Sequence, residues 1–234
     1  MNKLFAIIAL PLLLLAGLSG CGGGGGEGDG STTDGEFGTA AQFFNKNAVG
    51  NTWTTLDTNT NTAPGQPTST SVVTSVSTIS SSAGGVVSFY DTTTSTSPGV
   101  IYYPYTYTVQ LDGAGALVST DQAGTSLVLP ATFSVGTTWV IVPADPATGQ
   151  GAVTVTVAAF GITRTVPAGT FTDCLQLNAT GSDTSGGVTT TFNQTVYLSP
   201  TAGTVVESAS SYSGTDGSNG IFASSLQAGY IANP

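Results

Sequence analysis

The segment Ser71-Val72-Val73-Thr74-Ser75-Val76-Ser77-Thr78-Ile79 decides the fold class of this chain. Apolar residues alternate with serine and threonine along it, and a two-residue period is typical of a β-strand with one buried face. The segment Ala152-Val153-Thr154-Val155-Thr156-Val157 repeats the pattern, with its valines on one face and its threonines on the other. Both segments therefore predict half-buried strands.

The rest of the chain from residue 37 onward has the same β character. Val, Thr, Ile, Tyr and Phe are used heavily, and turn signals such as Ala83-Gly84-Gly85, Asp112-Gly113, Ser185-Gly186-Gly187 and Asp216-Gly217 separate the runs. Further strands are predicted at residues 53–56, 86–90, 100–111, 116–119, 137–142, 162–166, 174–180, 188–198 and 205–212. The only predicted helix is a short one near residues 39–46. We therefore expect an all-β fold: a single antiparallel, strongly curved sheet, as a half-barrel or sandwich of about eleven short strands.

The first 20 residues have the features of a secretory signal peptide that is removed. Met1-Asn2-Lys3 supplies a positive start, and an apolar run of 15 residues follows from Leu4 to Leu18. A membrane-spanning helix needs about 20 apolar residues, and this run also contains Pro11. The signal-peptide interpretation is therefore favoured over a spanning helix.

The end of this signal, Leu18-Ser19-Gly20-Cys21, resembles the lipobox of bacterial lipoproteins. The resemblance implies cleavage just before Cys21 and diacylation of its side chain. Acyl chains of this kind anchor a protein stably, because each buried CH₂ contributes about 0.8 kcal/mol. Gly22 stands where many Gram-negative lipoproteins carry the Asp that retains them at the inner membrane, so the resemblance favours the outer membrane.

The predicted domain organisation follows from this anchor. Residues 21–36 form a lipidated cysteine and a flexible, Gly-rich tether, and residues 37–234 form a single β domain. Val49-Gly50-Asn51-Thr52-Trp53 is echoed by Val135-Gly136-Thr137-Thr138-Trp139, and these segments contain the only two tryptophans. Either the domain consists of two related halves, or the short match arose by chance.

The composition excludes several classes of function. The 3 Lys and Arg residues against 13 Asp and Glu residues give a formal net charge of −10, which argues against nucleic acid as a partner. Histidine is absent, so no Ser-His-Asp triad and no His-ligated metal is expected, and we expect no cofactor. With Cys21 lipidated, Cys174 has no intramolecular disulfide partner. It is interpreted as a partly buried strand residue, with redox sensing or an intermolecular disulfide as alternatives.

A second resemblance covers residues 45–210. Thr165-Val166-Pro167-Ala168-Gly169-Thr170-Phe171-Thr172-Asp173-Cys174-Leu175-Gln176-Leu177 resembles a segment found in a broad set of uncharacterised, β-rich envelope lipoproteins, which also carry paired Val-Gly-x-x-Trp strand openings. Their closing stretch is matched loosely by residues 196–205. The resemblance implies fold and location, and no activity. On its residues alone, Pro167-Ala168-Gly169 predicts a hairpin corner.

The richest aromatic cluster lies at residues 101–107. In a strand, Tyr103, Tyr105 and Tyr107 share one face, and such a ladder can stack on sugar rings or apolar ligands. The alternative is ordinary packing of these tyrosines at a sheet margin, where Pro104 also belongs. These three residues are the candidate ligand contacts.

Together these observations predict a lipid-anchored protein of the bacterial cell envelope that is not an enzyme. The first hypothesis is a structural or binding module that contacts the membrane through its N-terminal acyl chains and meets an envelope protein, a glycan or an apolar ligand. The alternative is a carrier or sensor of a hydrophobic or glycan ligand that uses the tyrosine-lined sheet face.

Overall fold

The computed structural model describes residues 37–44, 46–95, 104–122, 124–145 and 147–230, and most of these residues lie in β-strands. A short 3-10 helix, Ala40–Phe43, follows the first strand. The strands are β1 (Phe37–Thr39), β2 (Thr52–Thr62), β3 (Ser69–Ala83), β4 (Val86–Ser95), β5 (Tyr105–Leu111), β6 (Leu117–Asp121), β7 (Gly124–Leu129), β8 (Thr132–Ser134), β9 (Thr138–Val142), β10 (Val153–Val166), β11 (Gly169–Ser185), β12 (Val188–Ser199), β13 (Thr204–Gly214) and β14 (Asn219–Tyr230).

Twelve of these strands form one antiparallel sheet in the order β7-β6-β5-β4-β3-β2-β14-β13-β12-β11-β10-β9. The sheet curves so strongly that its edge strands β7 and β9 come into contact, which makes it nearly barrel-shaped. Strands β2 to β7 form one meander and strands β9 to β14 form another, and β2 pairs with β14 at the seam between them. Strands β1 and β8 pair in a separate two-stranded sheet. The prediction of an all-β fold with a large, strongly curved antiparallel sheet is confirmed.

Several strands are longer than the sequence pattern indicated. The segments 152–157 and 162–166 belong mostly to one strand, β10, and the register of its pairing with β11 shifts between them. Gly161 lies in that stretch with a φ of +64°, a conformation that other residues rarely adopt. Such bulges bend a strand without ending it, so the sheet curves while its ladder continues.

The predicted turns are present. Gly84-Gly85 and Gly186-Gly187 join β3 to β4 and β11 to β12, each with positive φ at both glycines, as tight hairpin turns require. The Pro167-Ala168 corner joins β10 to β11, with Val166 paired to Gly169. The predicted helix near residues 39–46 is present only as the single 3-10 turn.

The core lies on the inner face of the sheet, which is the face enclosed by its curvature. Buried phenylalanine side chains from the helix and from β8 pack against it, with the rings of Phe43 and Phe133 6.1 Å apart. The largest fully buried side chains are Trp53, Phe89, Ile79, Leu117, Leu129, Leu175, Leu177, Leu198, Leu226 and Val87. No helix in the described part of the chain is long and apolar enough to cross a membrane.

Candidate functional site

The two Val-Gly-x-Thr-Trp segments form the same turn. The amide of Gly50 donates to the carbonyl of Ile79 at 2.9 Å, and the amide of Gly136 donates to the carbonyl of Val157 at 2.8 Å. A second hydrogen bond runs in the opposite direction in each turn: the amide of Ile79 donates to the carbonyl of Asn51, and the amide of Val157 donates to the carbonyl of Thr137, both at 2.9 Å. The two glycines have φ values of +91° and +88°. The segments are thus equivalent as turns, while the relatedness of the two halves stays a prediction.

The two tryptophans that follow these turns are buried, but their indole groups differ. The Nε1 of Trp53 donates to the carbonyl of Ala202 at 3.3 Å, so it links β2 to the turn before β13. The Nε1 of Trp139 is buried and has no hydrogen-bond partner among the described residues. Only the first tryptophan therefore connects the two meanders through its polar atom.

The candidate ligand tyrosines divide between core and surface. Tyr103 lies outside the described residues. Tyr105 and Tyr107 share the inner face of β5, but Tyr107 is only 3% exposed and its ring stacks on Phe89 at 4.8 Å. Tyr105 is partly exposed, and its ring lies 5.9 Å from that of Tyr107. Of the described pair, Tyr105 offers the accessible ring, whereas Tyr107 contributes to packing and presents a hydroxyl.

Strand register places acidic and hydroxyl side chains around these two tyrosines. Asp91 on β4 pairs with Tyr105 on one side and with Ser77 of β3 on the other. The hydroxyl of Tyr105 donates to Asp121 at 2.5 Å. We call the inner-face group Ser77, Asp91, Tyr105, Tyr107, Ser119 and Asp121 the Asp–Tyr cluster.

The Asp–Tyr cluster contains buried polar atoms that have no partner among the described residues. The Oδ1 of Asp91, the hydroxyl of Tyr107 and the Oγ of Ser119 are buried and have no hydrogen-bond partner in the described structure. Tyr107 and Ser119 are 3% and 2% exposed. Most buried polar groups in folded proteins are paired, so three such atoms on one face need a donor or acceptor from elsewhere.

The electrostatics of the cluster follow from this burial. Burial raises the pKa of Asp91 from 3.8 to about 6, against a hydrogen bond from Ser77 that lowers it. Burial also raises the pKa of Tyr107 well above its ordinary value, and the charge of Asp91 adds to that rise. The hydroxyl of Ser77 lowers the pKa of Tyr107 and so opposes this increase. The Tyr107 hydroxyl nevertheless has no hydrogen-bond partner among the described residues. Acids whose pKa values are strongly perturbed cluster at functional sites.

A second inner-face carboxylate, Asp57, is satisfied in full by contrast. Ser75 donates to its Oδ2 at 2.7 Å, and Ser224 donates to its Oδ1 at 2.6 Å. These hydroxyls come from β3 and β14, so the carboxylate ties together three strands at the seam between the meanders. Asp57 therefore has a structural role.

The segments 165–177 and 196–205 meet at a corner built around Asp173. Its carboxylate accepts from the Oγ of Ser199 at 2.6 Å and from both the amide and the hydroxyl of Thr201, at 3.0 and 2.5 Å. Burial raises the pKa of Asp173, but these hydrogen bonds outweigh it and lower the pKa below its ordinary value. The corner holds β11, β12 and β13 together, and sequence reasoning did not single out Asp173.

Cys174 follows directly and lies fully inside the core, with 0% exposure. Its thiol donates to the carbonyl of Phe171 at 3.7 Å. Burial, and then the charge of Asp173, raise the pKa of the thiol to about 11. A buried thiol with a raised pKa is a poor nucleophile, which favours the packing interpretation over redox chemistry.

The two cations of the described residues are both engaged away from the Asp–Tyr cluster. Arg164 forms an ion pair with Glu207 at 2.7 Å and lies 3.7 Å above the ring of Tyr197. The ammonium group of Lys46 donates to the carbonyl of Thr201. Neither contributes a counter-charge to Asp91.

A shallow groove of about 300 Å³ lies on the outer face over β12, β13 and β14. Thr191, Asn193, Ser211 and Ser213 line it, with Ile221 61% exposed at its side. No charged side chain lines this groove. It offers generic polar contacts and little selectivity.

No family model, curated protein or solved structure matches this chain. The assignment of function therefore depends on the residues and geometry of the chain itself.

Proposed function

We propose that this chain is a lipid-anchored lipoprotein of the bacterial envelope, held at the outer membrane, whose β domain is a non-enzymatic binding module. The lipobox-like Leu18-Ser19-Gly20-Cys21 segment supports the anchor. The observation that carries the binding role is the set of unpartnered buried polar atoms in the Asp–Tyr cluster. A purely structural sheet gains nothing from leaving such atoms unpaired, because each costs about 1–3 kcal/mol.

A non-enzymatic role is supported by the reactive groups that the chain offers. Histidine is absent from the sequence. Cys174 is buried with a raised thiol pKa, and Arg164 is paired with Glu207. A nucleophile, a neutral base and a free cation are the usual partners in hydrolytic or transfer chemistry. The Asp–Tyr cluster supplies hydrogen-bonding groups and charge, which suit recognition.

The anchor is tested by replacing the cysteines separately. In cells given a palmitate analogue, the wild type and Cys174→Ala should be labelled and should sediment with the outer-membrane fraction. Cys21→Ala should lose both the label and the membrane association. Membrane retention of Cys21→Ala, or loss of label in the matched Cys174→Ala control, would contradict the proposed anchor.

The binding role is tested by native mass spectrometry of the full-length protein extracted from its own membrane in detergent. We expect a co-purified mass on the wild type and its loss in Asp91→Asn. Asp145→Asn, the same change at an exposed turn, should keep the mass. An identical spectrum for all three proteins would refute binding at the cluster.

The second candidate is a carrier or sensor of a glycan or hydrophobic ligand. The partly exposed ring of Tyr105 favours it, since an aromatic face stacks well on a sugar ring. The surrounding carboxylates and hydroxyls favour a glycan over an apolar ligand. The co-purified mass discriminates directly between these ligands.

A further inference from the structure

The Asp–Tyr cluster concentrates negative charge on an aromatic surface. Asp91 and Asp121 both face inward beside Tyr105, whose ring continues a stack formed by Tyr107 and Phe89. Carboxylates next to aromatic faces attract organic cations, because the ring quadrupole and the anions act in the same direction. The arrangement therefore has the composition of an ammonium-binding site.

The described residues supply no cation to this site. Lys46 and Arg164 are the only two cations among the described residues, and each contacts groups elsewhere. Within the described structure, the Oδ1 of Asp91 thus has neither a hydrogen-bond donor nor a counter-charge. A ligand with positively charged N–H groups would provide both.

A metal ion fits the site less well than an organic cation. The described residues contain no group of three or more Asp, Glu, His or Cys side chains placed to hold a metal. Ca²⁺ takes six to eight oxygen ligands, several of them carboxylates. Both oxygens of Asp121 moreover accept hydrogen bonds, one from the hydroxyl of Tyr105 at 2.5 Å and the other from the amide of Gly124 at 3.1 Å.

A neutral glycan fits less well for a different reason. Sugar hydroxyls can pair with Tyr107 and Ser119, but they leave the charge of Asp91 without compensation. A sugar hydroxyl can donate to Asp91 as well, but it brings no positive charge, whereas an ammonium group adds charge attraction to its hydrogen bond. The carboxylate of Asp91, whose Oδ1 has no partner among the described residues, is therefore the feature that selects the ligand.

We propose that the Asp–Tyr cluster binds an alkylammonium group, whose N–H groups donate to Asp91 while its alkyl part lies against the ring of Tyr105. The inference rests on the proposed binding function and names its ligand class. The ammonium group is supplied either by a free amine or by a lysine side chain of an envelope partner. Both sources share the chemistry that the site recognises.

The test is isothermal titration of the full-length protein in detergent with n-butylammonium. We expect saturable binding with a Kd of about 1 mM or tighter, which is within reach of a ligand of this size. Tetramethylammonium has the charge but no N–H donor, so it should bind at least about tenfold more weakly. Asp91→Asn should weaken n-butylammonium binding by at least about tenfold, and Asp145→Asn should leave it unchanged.

The affinity for a third probe, Nα-acetyl-lysine amide, distinguishes between the two sources of the ammonium group. Binding as tight as that of n-butylammonium indicates a lysine of a partner protein, and much weaker binding indicates a free amine. Absence of saturable amine binding, or equal binding to Asp91→Asn, would overturn the ammonium proposal. If native mass spectrometry then shows a neutral ligand that Asp91→Asn loses, the binding function stands and only its ligand class is wrong.

Discussion

Replacing Asp91 with asparagine should stabilise the folded protein at neutral pH. The carboxylate lies on the inner face of β4, and its Oδ1 is buried with no partner among the described residues. Asparagine has nearly the same shape and carries no charge, so it removes the burial cost of the ionised form. The variant also removes a proton-binding group whose pKa differs between the folded and unfolded states.

The magnitude follows from the pKa of Asp91, which burial raises from 3.8 to about 6. A group whose pKa is higher in the folded state stabilises the fold when the pH lies below its pKa in the unfolded state. This stabilisation is lost as the pH rises through the pKa of the folded state. The difference of roughly 2 units corresponds to about 3 kcal/mol of unfolding free energy. The wild type should therefore lose this unfolding free energy between about pH 4 and pH 7.

Other groups that face Asp91 belong to β3, β5 and β6. They are Ser77, which donates to it, the two tyrosines Tyr105 and Tyr107, and Asp121 across β5. Burial raises the pKa of both tyrosines, so they stay neutral throughout this pH range. Between pH 4 and pH 7 the titration of Asp91 should consequently dominate the difference between the wild type and the variant.

The assay is chemical denaturation of the full-length protein, followed by tryptophan fluorescence at pH 4, 5, 6 and 7. The gain in unfolding free energy for Asp91→Asn should be small at pH 4 and rise to about 3 kcal/mol at pH 7. Asp145→Asn, in an exposed turn, controls for the loss of one charge. A gain that is constant with pH, or a variant that is less stable at pH 7, would refute the reasoning.

Three further predictions concern the core and the Asp173 corner. Trp53→Phe should cost about 1 kcal/mol more unfolding free energy than Trp139→Phe, because only Trp53 loses a hydrogen bond, to Ala202; equal losses would contradict this. Asp173→Ala should lower the unfolding free energy by about 2–3 kcal/mol at pH 7. This loss should shrink below pH 3.8, because the carboxylate has a lowered pKa and its stabilising effect disappears as the pH falls. Denaturation curves that show the same loss at every pH would contradict this prediction. Cys174 should not react with a thiol reagent at pH 8 in the folded protein but should react after unfolding, and stoichiometric labelling of the folded protein would show that the thiol is accessible.

The sequence predicted the strands that have a clear period of two and missed those that lack it. Valine alternates with threonine in β10, and serine and threonine alternate with apolar residues in β3, so both were recognised. The last strand, β14, is rich in Ser, Ala and Gly and was not predicted. It forms because it lies between β13 and β2, where ladder bonds on both sides compensate for weak side-chain packing. Pairing between the two ends of the domain is not visible in a local pattern.

The Asp–Tyr cluster could be predicted only in part. The alternation at residues 103–107 correctly placed Tyr105 and Tyr107 on one face. It could not show that Tyr107 is buried against Phe89, because burial depends on how far the sheet curves. Nor could it place Asp91 beside Tyr105, since that requires the register between β4 and β5, which a local pattern does not show.

The contrast between Asp57 and Asp91 is the main reason to assign the cluster to a ligand. Both are inner-face aspartates of the same meander in a chain rich in serine and threonine. Around Asp57 two hydroxyls donate to the two oxygens, so the fold can satisfy a buried carboxylate where one is structural. Around Asp91 one oxygen has no partner in the described part of the chain, although the charge of Asp91 acts on Tyr107, whose hydroxyl is also unpartnered there. A ligand that donates to Asp91 would lower its pKa, remove the burial cost and stabilise the folded state in proportion to its occupancy, which links the stability measurement and the binding measurement at one atom.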